Sequence, residues 1–199
     1  MKQLGIIGLL LFLGACQTLP TSAEWLARGD GYFKDGKLQQ ALKAYNRAQR
    51  LNPDNPAVYS SRGAAYFFMG DFPAAQADFV QVLQLNPYRA DGYNAFASAL
   101  AAQGYFTEAL EAVNLGIRLA PGKMQAYFTR GGIYFMLGQY KEAVADYTRV
   151  LRAQPSADVY RARGAAYAKM EKKAQAEEDF KVAASGAVPE KLSDYTMID

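Results

Sequence analysis

The sequence predicts an all-α solenoid of about five stacked helix pairs behind a short apolar leader. Three observations predict it. Pro53, Pro87, Pro121 and Pro155 stand 34 residues apart, and the residues between them recur in step. Inside each interval aromatic and small residues alternate at helical spacing, without the period of two that marks strands. Ahead of the array, an apolar run from Leu4 to Leu13 ends at Leu13-Gly14-Ala15-Cys16, which holds the only cysteine. A fixed period of this length means that one unit cannot bury its apolar face alone, so units stack.

The leader comes first. Lys2 supplies a minimal positive start, and the ten residues from Leu4 to Leu13 are too few to span a bilayer, which takes about 20. Such a run suits the core of a signal peptide, expected over residues 1–15. Leu-Gly-Ala-Cys resembles the lipobox of bacterial lipoproteins, in which lipid is attached to the cysteine sulfur and cleavage falls just before it. The resemblance makes Cys16 the lipidated first residue of the mature chain, with residues 16–21 as its tether. Several acyl chains give lasting membrane attachment where one gives only marginal binding. In that family an Asp after the cysteine favours inner-membrane retention; Gln17 stands there instead, which implies the outer membrane, facing the periplasm. With no second cysteine, no internal disulfide forms in that oxidising compartment.

The array follows over residues 22–190. Counting each proline as position 32 gives units 22–55, 56–89, 90–123 and 124–157, then a fifth at 157–190 after one residue is dropped, since Tyr160 comes 33 after Tyr127. Position 4 is aromatic throughout (Trp25, Tyr59, Tyr93, Tyr127, Tyr160) and position 8 is small (Gly29, Gly63, Ala97, Gly131, Gly164). Position 20 is always alanine, and position 24 is bulky (Tyr45, Phe79, Val113, Tyr147, Phe180). Gly36, Gly70, Gly104 and Gly138 at position 15 are placed to end a first helix in a left-handed residue. Proline at position 32 then follows the second helix, which it cannot continue. The small residue at position 8 leaves a notch for the bulky residue of the partner helix.

These residues resemble the tetratricopeptide repeat family, whose signature is this aromatic, Gly, Tyr, Ala, aromatic, Ala, Pro series. The third unit departs from it with Phe96 and Ala97, and the fifth with Glu171 for the turn glycine, Lys173 at position 17 and Val188 where proline would stand. A ragged, charged last unit suits the end of a stack, which needs a polar outer face. Residues 191–199 form a tail in which Tyr195, Met197 and Ile198 are apolar enough to cover leftover surface.

One correlation uses this sequence alone. Position 7 is Arg in units 1, 2, 4 and 5, and position 23 is Asp in units 2, 4 and 5; the third unit lacks both. Pairing within a unit explains the three matches and the joint absence, which predicts structural ion pairs Arg62–Asp78, Arg130–Asp146 and Arg163–Asp179.

Composition narrows the function. With Lys2 lost in the leader, 21 basic residues face 19 acidic ones, and the basic residues are scattered, so no nucleic-acid stripe is indicated. There is no histidine, so the common nucleophile–base pairs and zinc sites lack their residues, and no cofactor is expected. Glu108 with Glu111 and Glu177 with Glu178 read as solvated helix faces, and Gly29-Asp30-Gly31 follows no strand, as a phosphate loop would. The chain therefore reads as a binding protein and not an enzyme.

The family resemblance places a concave groove on the first helices, at positions 2, 5, 9, 12 and 13. Phe33, Phe67, Phe68, Asn94, Phe128, Phe135 and Met136 make that groove more aromatic than contact with water alone requires. Asn94, between the two patches, is placed to hold a peptide backbone. The Lys and Asn set by which some relatives clamp a C-terminal carboxylate is absent, since Leu26 and Asp30 hold its first two positions. The chain looks like the small repeat lipoproteins of type IV or Flp-type pilus assembly, which implies an envelope protein or peptide segment as partner. The alternative is an adaptor that gathers periplasmic proteases or cell-wall hydrolases, for which a homo-oligomer is the expected form.

Overall fold

The computed structural model describes residues 19–186; the expected signal peptide, Cys16 and the tail lie outside them. Ten α-helices and no strand occur among the described residues. They fall into five successive pairs. These are α1 (Ser22–Lys34) with α2 (Leu38–Leu51), α3 (Pro56–Phe68) with α4 (Phe72–Leu85), and α5 (Ala90–Ala102) with α6 (Phe106–Leu119). α7 (Met124–Met136) with α8 (Tyr140–Ala153) and α9 (Ala157–Lys169) with α10 (Lys173–Ser185) complete the array. Each second helix also packs on the first helix of the next pair, and the five first helices lie side by side along one face.

The starts and stops follow from local chemistry. Thr21 and Glu24 close a capping box at the head of α1. Asn55 caps α3, whose first residue Pro56 has no amide to leave unsatisfied, and Ser156 caps α9. Inside each pair the chain turns through a left-handed residue, with φ of 72° at Gly36, 80° at Gly70, 86° at Gly104 and 74° at Gly138. The fifth turn does the same with Glu171 at φ 62°. In all five the next amide closes on the position-11 carbonyl, from Lys37 N–H to Tyr32 O at 2.8 Å through Lys172 N–H to Tyr167 O at 3.0 Å. The turn thus keeps its geometry where the glycine is lost.

The core lies between the two helices of each pair and between neighbouring pairs. Ala41, Ala75, Ala109 and Ala143 are wholly buried, which lets the second helix approach closely. Position 8 meets position 24 of its own repeat. A Cβ built on Gly131 would stand 2.7 Å from the Tyr147 ring, and one on Gly63 2.8 Å from the Phe79 ring. The third repeat solves the same contact with Ala97 opposite the smaller Val113, both fully buried. Volume is exchanged across the contact, as close packing demands.

Candidate interaction face

The face formed by the first helices is held rigid from behind by three guanidinium clamps. Arg62 donates from Nε and Nη2 to the two carboxylate oxygens of Asp78 at 2.8 and 2.7 Å. Arg130 holds Asp146 and Arg163 holds Asp179 in the same bidentate way, every bond at 2.8 Å. All three aspartates are buried. Donating to the Asp78 carboxylate raises the Arg62 pKa above its ordinary value, outweighing the burial that would lower it.

The clamps have a third arm that the sequence reading missed. Arg62 Nη1 reaches back to Asn46 Oδ1 at 2.6 Å, Arg130 Nη1 to Asn114 Oδ1 at 2.7 Å, and Arg163 Nη1 to Thr148 Oγ1 at 3.1 Å. Each of these acceptors is position 25 of the preceding repeat. The signal was present: position 25 is polar where the next repeat has this arginine, and Val80 where the next repeat has Phe96. Arg28, with Ala44 in place of an aspartate, lies over the Trp25 ring at 4.8 Å.

On the front of the face the predicted groove residues separate into two groups. Phe33 and Phe68 meet edge to face at 5.4 Å, and Phe67 meets Phe72 at 5.3 Å. Phe68 nevertheless keeps 70% of its surface exposed. Further along, Phe128, Phe135 and Met136 of α7 line an open cleft of about 530 Å³ with Ser98 and Ala101 of α5. On its α5 side the cleft is bounded by Ser98 and Ala101, and Ala101 stands where α3 carries the far larger Phe67.

Its floor holds a residue that the sequence reading assigned to the core. Tyr147 packs against Gly131, and its hydroxyl comes through beside Gly132, where a built Cβ would lie 3.8 Å from it. In the first repeat the equivalent Tyr45 hydroxyl donates to Asp30 Oδ1 at 2.9 Å. Glycine replaces that carboxylate in the fourth repeat, so the Tyr147 hydroxyl meets no acceptor among the described residues. Burial, with the charge of Asp146 adding to it, pushes its pKa up to about 12. At neutral pH it is a hydrogen-bond donor facing an apolar cleft.

Asn94 is not brought into this cleft. It lines a small separate recess with Asp91, Gly116 and Lys123, and its Oδ1 is enclosed there without a hydrogen-bond partner among the described residues. No group of three or more acidic or thiol side chains suited to a metal occurs among the described residues.

Paired helices at a fixed period, locked by repeated clamps and presenting one continuous face, define a helical repeat scaffold. Three family models, described as TPR repeat or tetratricopeptide repeat, match residues 29–70, 60–123 and 124–157. The chain belongs to the tetratricopeptide repeat family. Human tetratricopeptide repeat protein 13 is 40% identical over 72 residues, which are 36% of this chain and 8% of that protein. The chain therefore matches less than a tenth of that relative's length. A thermophilic tetratricopeptide repeat protein of Thermus thermophilus, TTC0263, superposes with a TM-score of 0.74 at 21% identity, over 84% of this chain and 92% of its own. The first repeat domain of Spaghetti (RPAP3), solved bound to an HSP90 peptide, superposes with a TM-score of 0.57 at 26% identity, over 59% and 93%.

Proposed function

We propose that this chain is a membrane-anchored, non-catalytic scaffold that holds an apolar peptide or protein segment on its first-helix face. The observation that carries this reading is the cleft walled by Phe128, Phe135 and Met136, open to solvent and floored by a hydroxyl donor. An apolar side chain entering it covers surface that water solvates poorly, and the Tyr147 hydroxyl gives a backbone carbonyl a partner. The bound peptide of the Spaghetti domain supports segment binding by such arrays. The anchor is lipidated Cys16 in the outer membrane, and the machine served is a pilus or secretin assembly in the cell envelope. Both rest on the lipobox resemblance and on the family analogy.

Crosslinking capture from intact envelopes tests this, comparing the native chain with a Phe67→Ala, Phe128→Ala, Phe135→Ala variant. One envelope protein held by the native chain and lost with the variant is the expected result. Unchanged capture rejects the face as the binding site. A Cys16→Ser chain that remains in the membrane fraction rejects the anchor separately.

A further inference from the structure

Basic residues are scattered along the sequence, yet the fold gathers three of them in one row. α2 carries Lys43, Arg47 and Arg50 and no acidic residue, whereas each of the other four second helices carries at least one. Steps of four and then three residues put them on one helix face, and all three are exposed. None of them makes an ion pair among the described residues. Three of the four acidic groups of this repeat are engaged elsewhere: Glu24 closes the capping box, Asp30 accepts from Tyr45, and Asp35 pairs with Lys37.

The row borders the only tryptophan of the chain and stands where the array begins. Arg28 and Arg47 lie over the Trp25 ring, 4.8 and 5.4 Å from its centre. Ser22 Oγ donates to Ala48 O at 2.8 Å, which pins the head of α1 beside the last turns of α2. Two leucines are exposed at this end, Leu51 at the close of α2 with 55% of its surface and Leu19 just ahead of α1 with 89%. Charge alone fits an acidic protein as well as a membrane. Cations beside a tryptophan and exposed leucines, however, are the combination that settles in the headgroup region of a bilayer. Position points the same way, because Cys16 precedes Ser22 by six residues, a reach of about 20 Å at full extension.

We propose that the row of Lys43, Arg47 and Arg50 is a lipid-contact surface that seats the first repeat on an anionic bilayer. The choice of a bilayer rests on the anchor at Cys16, which holds this end of the array near the membrane. Lipid phosphates supply the counter-charge that the row lacks, and each cation near such a surface strengthens binding about fivefold. α2 packs behind α1 and α3, so contact there leaves the first-helix face open to a partner.

Vesicle partition of the chain from residue 16 onward tests the row by itself, with Cys16→Ser so that no lipid is attached; this chain contains the whole described array. It is expected to sediment with vesicles of phosphatidylcholine and phosphatidylglycerol in equal parts, and not with vesicles of phosphatidylcholine alone. Trp25 emission should shift to the blue on the anionic vesicles only. Lys43→Gln, Arg47→Gln and Arg50→Gln together are expected to weaken partition roughly a hundredfold, about fivefold for each charge. Lys141→Gln, Arg149→Gln and Arg152→Gln on α8 remove the same charge further along the array and are expected to change partition by less than about twofold. Circular dichroism checks that both variants keep the parental helix content. No preference for the anionic vesicles, or an equal loss with the α8 set, would overturn the proposal. Retention on polyglutamate beads without binding to anionic vesicles would overturn it too, and would assign the row to an acidic protein. A high-salt wash strips an ionic contact but not acyl chains, so failure of the row and failure of the anchor are read apart.

Discussion

Arg130 on α7 holds Asp146 on α8 through two parallel hydrogen bonds, Nε to Oδ2 and Nη2 to Oδ1, each 2.8 Å long. The remaining Nη1 arm crosses to Asn114 of the preceding repeat at 2.7 Å, so one side chain fixes three helices. Tyr127 and Tyr134 flank the guanidinium at 5.3 and 5.7 Å from their ring centres, and the Asp146 carboxylate that it holds is buried. A guanidinium suits this role because its planar fork matches a carboxylate and leaves further donors for a third contact.

Removing the arginine alone leaves a buried carboxylate unpaired, which costs more than the pair is worth. Arg130→Phe is expected to destabilise the chain by about 3–5 kcal/mol. The third repeat shows the compensated form, with Val80, Phe96 and Ala112 at the three positions. The triple variant Asn114→Val, Arg130→Phe, Asp146→Ala is therefore expected to recover most of the loss. Urea unfolding followed by circular dichroism measures both chains, and a triple variant no more stable than the single one refutes the account.

How much of this was legible in the sequence depends on how local the cause is. The helix pairs, turns and two-way clamps follow from residues inside one repeat, and aligning five copies exposed them. The third arm to Asn46, Asn114 and Thr148 crosses between repeats, so it appears only when position 25 is compared with position 7 of the next unit. The groove was harder. A phenylalanine's surroundings on this face depend on its neighbours in adjacent repeats: Phe33 meets the edge of Phe68, which stays largely exposed, while half-buried Phe128 lines the cleft beside Ser98 and Ala101. Tyr147 was hidden because its core contact with Gly131 and its hydroxyl at the cleft floor beside Gly132 belong to different parts of one side chain.

The contact between Gly131 and Tyr147 is a volume exchange, and it predicts a coupled pair of substitutions. A Cβ 2.7 Å from the ring forces Tyr147 or a helix to move, so Gly131→Ala is expected to cost about 1–3 kcal/mol. In a Tyr147→Val background the same change is expected to cost little, because the third repeat packs Ala97 against Val113 without exposing either. A double-mutant cycle on unfolding free energies reads the coupling directly. Additive effects of the two changes count against the notch-and-knob relation.

Glu171 holds a left-handed backbone, φ 62°, that the other four turns give to glycine. Such a conformation costs an ordinary L residue about 1–2 kcal/mol, partly offset by the extra chain entropy glycine loses on folding. Glu171→Gly is therefore expected to stabilise the chain by about 0.5–1 kcal/mol, and Gly138→Ala to destabilise it by a similar amount. Thermal unfolding midpoints compare both with the parent. A lower midpoint for Glu171→Gly means that the glutamate side chain contributes more than its backbone strain removes.

The last prediction concerns alkaline pH. Burial, with the Asp146 charge adding, moves Tyr147 from an ordinary 10.0 up to about 12, so the fold favours the neutral phenol. Unfolded chain ionises that phenol near pH 10, and the folded chain does so only near pH 12. The stability linked to the neutral form is thus fully present below pH 10 and is lost as pH rises towards 12. A shift of this size corresponds to at most about 3 kcal/mol, and the residue is only 4% exposed, so solvent screening is slight. Tyr45 remains in both chains, so its own raised pKa cancels when the parent is compared with Tyr147→Phe. Urea midpoints between about pH 8 and 12 should therefore fall more steeply in the parent than in the variant. Equal slopes would show that the Tyr147 hydroxyl ionises as freely in the fold as outside it, and burial would then place no penalty on the charged phenolate at the floor of the cleft.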